Sequence, residues 1–177
     1  MRMKSRTCHD QQKIEQLLST ADTGYLGLAL NNEPYIVPLN YVWFDDSIYF
    51  HGASEGKKMN IIKENKNATF VISKNEGTMV SPIPAKTDTA YLSIMLFGEI
   101  QTVNELTEAT KAMQALLDKY VTGYYNSPLS SQHVERYRSS LGSKTCIFKL
   151  TPTEITAKEN LKIEDQLYYR GRNVSTS

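Results

Sequence analysis

One short stretch concentrates chemistry, His51-Gly52-Ala53-Ser54-Glu55-Gly56-Lys57-Lys58. Two glycines let backbone approach a ligand closely, and two adjacent lysines supply mobile positive charge. A helix opening near residue 55 turns its free N–H groups and the positive end of its dipole to the same place. Together these suit a phosphate monoester. A glycine-containing turn followed by exposed lysines also occurs at ordinary helix starts, so the residues alone admit both readings. The stretch is not a nucleoside-triphosphate loop, which needs G-x-x-x-x-G-K followed by Ser or Thr. Gly52 and Gly56 stand one residue too close, and Lys58 takes the position of the metal-binding hydroxyl. No G-x-G-x-x-G follows the first strand, so a dinucleotide fold lacks its fingerprint. His51 is either a structural residue at a strand end or a proton donor, since an unperturbed imidazole titrates at ~6.5.

Other residue types narrow the classes. Net charge is +1, from 20 basic and 19 acidic residues, which gives no general attraction to nucleic acid. Lys57, Lys58, Lys63 and Lys66 suggest a basic face, but Glu55 and Glu64 interrupt it. The three histidines, His9, His51 and His133, follow no metal-ligand spacing, so no metal site is expected. Cys8 and Cys146 are expected as free thiols of a reducing compartment. The basic start lacks a following apolar segment, and no apolar run approaches the ~18 residues of a membrane helix. A cytoplasmic protein without a membrane partner is expected. Core packing or cross-strand pairing accounts for Tyr41, Trp43 and Tyr49, with stacking of one or two of them on a flat ligand as the alternative, and Tyr124 and Tyr125 are candidates to line an entry.

These residues need a frame. Ile14, Leu17 and Leu18 predict an amphipathic helix over 9–20. Strands are expected over 25–30, 35–44 and 47–51, joined by Asn31-Asn32-Glu33-Pro34 and Asp45-Asp46 as turns. Pro38 cannot donate to a ladder, so it belongs at an edge or bulge. A helix over about 55–65 follows, with Ser54 as its N-cap. Strands over 68–73 and 91–103 flank a loop, 74–89. The strongest helix runs over 105–120, with Asn104 or Thr107 as cap. A short helix near 129–140 precedes a sixth strand over 144–150 and an extension from Ile155. Residues 171–177 are expected to fray. One domain over 1–177 is expected, α+β in class and mainly antiparallel, since strands do not alternate with crossover helices.

The order of segments resembles the nitroimidazole-resistance branch of the pyridoxamine-phosphate-oxidase-like split β-barrels that bind FMN. The resemblance covers roughly residues 1–160. It rests on Glu33-Pro34-Tyr35-Ile36-Val37-Pro38-Leu39-Asn40, then Ile48-Tyr49-Phe50-His51 running into Glu55-Gly56-Lys57-Lys58, Tyr91-x-Ser93-Ile94 with Phe97-Gly98, and a helix ending at Tyr120. It implies a six-stranded split barrel with flanking helices, and a homodimer holding FMN at the subunit interface. Val37, Pro38, Leu39 and Asn40 would run beside the flavin ring. Gly52, Ala53, Gly56 and Lys58 would meet the phosphate, with Lys57 secondary. Ser93 would bond the phosphate or ribityl chain, and His51 would line the substrate side. The activity implied is electron transfer from a nicotinamide or other donor to a small planar acceptor such as a nitroaromatic compound. A flavin- or haem-binding sensor, store or carrier is the alternative. Ser5, Leu92 and the 74–89 loop depart from the pattern. Arg170 and Arg172 do not form the phosphate grip expected of pyridoxamine-phosphate oxidation itself.

Overall fold

A computed structural model describes residues 3–138 and 142–176. The elements in chain order are α1 (Gln11–Thr20), β1 (Gly24–Leu30), β2 (Glu33–Leu39), β3 (Val42–Phe44), β4 (Ser47–Ala53), α2 (Lys57–Glu64), β5 (Asn67–Met79), β6 (Asp88–Thr102), α3 (Leu106–Tyr120), α4 (Ser131–Arg136) and β7 (Thr145–Asn160). Short 3-10 turns occur at Lys4–Arg6, Pro84–Lys86, Glu164–Gln166 and Val174–Thr176. No helix among the described residues is long and apolar enough to cross a membrane.

The α+β class and the antiparallel pairing are as expected; the strand count is not. Among the described residues seven strands form one sheet in the order β2-β1-β5-β6-β7-β4-β3, every adjacent pair antiparallel. The two tight hairpins follow from their turn residues. Asn31 and Asn32 (φ 51° and 63°) and Asp45 and Asp46 (φ 49° and 51°) all lie in the left-handed region, which two-residue hairpin turns require and Asn and Asp tolerate.

The sheet curls round a core without closing. Tyr41, beside β3, meets Phe70 of β5 with ring centroids 5.0 Å apart. Four strand spacings of ~4.8 Å would separate them by about 19 Å in a flat sheet. Inside the curl lie Leu26, Leu28, Ile48, Phe50, Phe70, Ile72, Ile94, Leu96, Phe148 and Leu150. Ile14, Leu17 and Leu18 of α1 and Met59, Ile61 and Ile62 of α2 complete this core. A second cluster lies on the other face of β3, β4 and β7, where Val42, Tyr49 and Ile147 pack against α3 and α4.

Several expectations need correction. The segment 35–44 is two strands, broken at Asn40-Tyr41, where the chain passes from one free edge of the sheet to the other. Tyr41 is fully buried there, and its hydroxyl donates to the Leu18 carbonyl at 2.8 Å. The 74–89 loop shrinks to 80–87, because β5 pairs with β6 as far as Met79 opposite Asp88, through a register shift at Asn75/Gly77. The C-terminal segment braces this extension: Val80 N–H donates to Gln166 O and Tyr168 N–H to Thr78 O, each at 2.8 Å. The sixth strand and the extension are one strand, β7. Within the C-terminal segment a 3-10 turn spans Val174–Thr176; residue 177 lies outside the described residues. Glu105 caps α3, not Asn104 or Thr107. The helix expected over 129–140 is confined to 131–136.

Candidate functional site

The end of β4 and the start of α2 build the site. Alternation along β4 sends Phe50 and Gly52 to one face and His51 to the other. Lys58 reaches back over the first face. Its Nζ stands 5.3 Å from the Phe50 ring centroid and 5.1 Å from that of Phe148. These two rings stack 5.0 Å apart, because Phe50 and Phe148 are register partners on β4 and β7. Gly52 makes room for the ammonium: a Cβ there would lie 2.5 Å from Lys58 Nζ.

Lys58 is half-buried, and burial lowers its pKa, with the Cys146 thiol beside it acting weakly in the opposite sense. Among the described residues no carboxylate pairs with it and no hydrogen bond satisfies it. A partly desolvated ammonium resting on two aromatic faces is stabilised only in part by cation–π attraction, on the order of 1 kcal/mol. It is set to take an anion. The helix start agrees. Gly56, not Ser54, is the N-cap, at φ 99°, and no side chain caps the first N–H groups. That φ lies in the region L side chains avoid, so glycine is needed here for its backbone. The donor set therefore fits a phosphate: one unpaired ammonium, uncapped N–H groups and a glycine cradle.

The other expected residues are partly dispersed. Lys57 turns away, 3.7 Å from Glu33 and 5.8 Å from the Tyr35 ring centroid. His51 keeps an exposed face, while its ring meets Tyr137 edge-on at 6.3 Å. Burial of its other side, and then the Lys58 charge, lower its pKa. It is therefore neutral at neutral pH, able to donate or accept a hydrogen bond without carrying charge. Ala53, half-buried, is the last residue of β4. Val37 and Leu39 pack inward against the core, whereas Pro38 and Asn40 are exposed. Pro38, on the edge strand β2, pairs with Tyr25 of β1, consistent with its missing N–H. Ser93 is not brought to the site. It pairs with Lys158, whereas Thr102 of the same strand is the partner of Phe148. Nine residues of strand, about 30 Å at ~3.3 Å per residue, separate Ser93 from that point.

Two features were not anticipated from the sequence. One is the Phe50–Phe148 platform, which needs the β4–β7 register to be known. The other is a knot at the break between β2 and β3. The Tyr120 hydroxyl accepts from Tyr41 N–H at 2.9 Å and donates to Asp22 O at 2.7 Å, with Tyr41 O also within 3.0 Å. Lys119 donates to Tyr41 O at 3.0 Å and lies 3.7 Å from the Tyr41 ring centroid; burial pushes its pKa down to about 8. The sequence carries one signal for this knot, the apolar helix face ending in Tyr120.

An open antiparallel barrel, split between two edge strands and headed by a lysine-bearing helix start, is the split-barrel class. Residues 10–159 match the family described as pyridoxamine 5′-phosphate oxidase, and the chain belongs to that family. No curated protein matches the sequence. Among solved structures, the chain is similar to a Bacteroides thetaiotaomicron protein with a proposed role in 5-nitroimidazole antibiotic resistance, at 22% identity and TM-score 0.66, covering 86% of this chain and 85% of that one. It is similar to the flavocytochrome Anf3 of Azotobacter vinelandii at 18% identity and TM-score 0.75, covering 94% and 76%. It is also similar to an FAD- and haem-binding protein of Mycobacterium smegmatis at 16% identity and TM-score 0.71, covering 90% and 77%. At these identities the likeness is one of fold.

Proposed function

We propose that this chain binds FMN as a cytoplasmic homodimer and transfers electrons from a nicotinamide or other donor to a small planar acceptor such as a nitroaromatic compound. The observation that carries the reading is Lys58: half-buried, without a carboxylate partner among the described residues, and seated where Gly52 has no Cβ to crowd its ammonium. The chemistry it fits is a terminal phosphate monoester, which carries about −1.5 to −2 charges. The backbone of Gly52, Ala53 and Gly56 and the N–H groups of Lys57 and Lys58 would complete the phosphate site.

Val37 to Asn40 would offer the free edge of β2 to a flat ring. Pro38 suits that place, since it leaves no N–H seeking a strand partner. A bound flavin supplies the electron transfer itself; the chain supplies orientation and electrostatics. His51, held neutral, would face the acceptor as a hydrogen-bond partner. Ser93 lies too far along β6 to serve the same site within one chain; in the proposed dimer it would come from the second copy. Family membership and the flavin-binding neighbours support flavin over other phosphate esters.

A second reading is favoured by the two haem-containing neighbours: a flavin or haem carrier without turnover. Oxidation of pyridoxamine phosphate is not proposed. Arg172 is engaged with the Leu167 carbonyl at 2.7 Å and lies near Tyr169, in the C-terminal segment and not at Lys58. Anaerobic addition of NADH or NADPH to FMN-loaded protein, followed by a nitroaromatic acceptor, tests the reading. Bleaching of the flavin band and its return on acceptor addition are expected. A flavin that neither donor reduces, or a haem Soret band in the purified protein, would favour the carrier.

A further inference from the structure

Between α3 and α4, beneath residues 125–129, lies a cavity of about 700 Å³. That volume is within the ~300–1,000 Å³ typical of small-molecule sites. Its floor is apolar: Met113 and Leu117 of α3, Val134 of α4 and Ile147 of β7. These belong to or border the second core cluster, so the cavity is an opening in a packed wall and not a surface dent.

The charged side chains on its wall are all of one sign. They are Arg136 and Arg138, and among the described residues no Asp or Glu lines it. Among the described residues neither arginine has a carboxylate partner; Arg138 donates only to the neighbouring Tyr137 carbonyl, at 3.2 Å. A guanidinium offers a planar fork that matches a carboxylate with two parallel hydrogen bonds, and its face stacks on rings. Tyr125 and Tyr137, both exposed at the mouth, present aromatic surface beside it. An apolar chamber with cations and aromatic rings at its entrance complements an amphiphilic anion.

We propose that this cavity binds a ring-bearing apolar carboxylate, with the rings over Met113, Val134 and Ile147 and the carboxylate on Arg136 and Arg138. The Tyr137 ring joins its wall to His51, on the face of β4 away from Lys58. The inference stands independently of the flavin reading.

Titration calorimetry of the full-length protein as purified, with naphthoate and its neutral counterpart naphthylmethanol as probes, tests it. One naphthoate per chain is expected, bound more tightly than the alcohol. The double variant Arg136→Ala/Arg138→Ala should weaken naphthoate by about tenfold or more, since the loss of even one charge-assisted hydrogen bond costs about that much, and leave the alcohol unchanged. Leu129→Trp should block both probes while circular dichroism stays native. The proposal is overturned by absence of saturable naphthoate binding, by wild-type naphthoate affinity in the double variant, or by an equal loss for both probes. Displacement of FMN by naphthoate would also overturn it, since the two would then share the Lys58 site.

Discussion

Replacing Lys58 by Met separates what the ammonium does for the fold from what it does for a ligand. Methionine keeps an unbranched apolar stem over Phe50 and Phe148 and removes only the charge. In the unliganded protein that charge is partly desolvated, its pKa lowered by burial, and among the described residues no carboxylate offsets the cost. Its removal should therefore leave the flavin-free melting temperature unchanged or higher. With FMN bound, the same change deletes a charge-assisted hydrogen bond to phosphate, worth ~1.5–3 kcal/mol. That corresponds to a Kd roughly 10- to 150-fold weaker. Riboflavin, which has the ring but no phosphate, should bind both proteins alike, within about twofold. Quenching of flavin fluorescence in parallel titrations reads all four affinities. Unchanged FMN affinity, or equal weakening of FMN and riboflavin, would refute a phosphate site at Lys58.

Three further outcomes follow from the same geometry. Gly52→Ala places a Cβ 2.5 Å from Lys58 Nζ; the flexible end of the lysine can move, so the protein should fold, with FMN affinity lowered toward the Lys58→Met value and riboflavin unaffected in the same titration. Tyr120→Phe removes the hydroxyl that serves Tyr41 N–H at the break between β2 and β3, and should cost about 1–3 kcal/mol in urea unfolding, the penalty of an unsatisfied buried donor. Lys119, with its pKa pushed down to about 8 from 10.5 by burial, holds fewer protons folded than unfolded between those values. Stability should therefore rise with pH from about 8 to 10, and Lys119→Met should flatten that rise in melting curves. Above about 10, the nearby Tyr41 and Tyr120, whose pKa values burial raises, keep protons that the unfolded chain releases, and stability should fall.

Much of the meander was legible locally. Asn31-Asn32 and Asp45-Asp46 are hairpin residues by their own backbone preferences, and both turns appear where they stand. Pro38 declared an edge strand by the donor it lacks. The extra length of β5 and β6 was hidden, because residues 74–79 hold their strand through pairing with β6 and bracing by the segment around Tyr168, contacts distant in sequence. The site was legible in part for the same reason. His51 and Lys58 lie close in the chain and look like one constellation, yet the two-residue period of β4 puts Phe50 and Gly52, not His51, on the lysine's face. That much was available from alternation. Phe148 was not, since only the β4–β7 register brings it under Lys58. Lys119 left no signal, because nothing near it in sequence shows that Tyr41 covers it.

The central claim, a flavin phosphate held at Lys58, is tested most directly by the flavin content of the protein. Protein expressed with FMN available should be yellow and release one FMN per chain on denaturation. Flavin-free protein should take up FMN to the same ratio and bind riboflavin more weakly. A colourless protein that takes up no FMN, or one that binds riboflavin as tightly as FMN, would contradict the account.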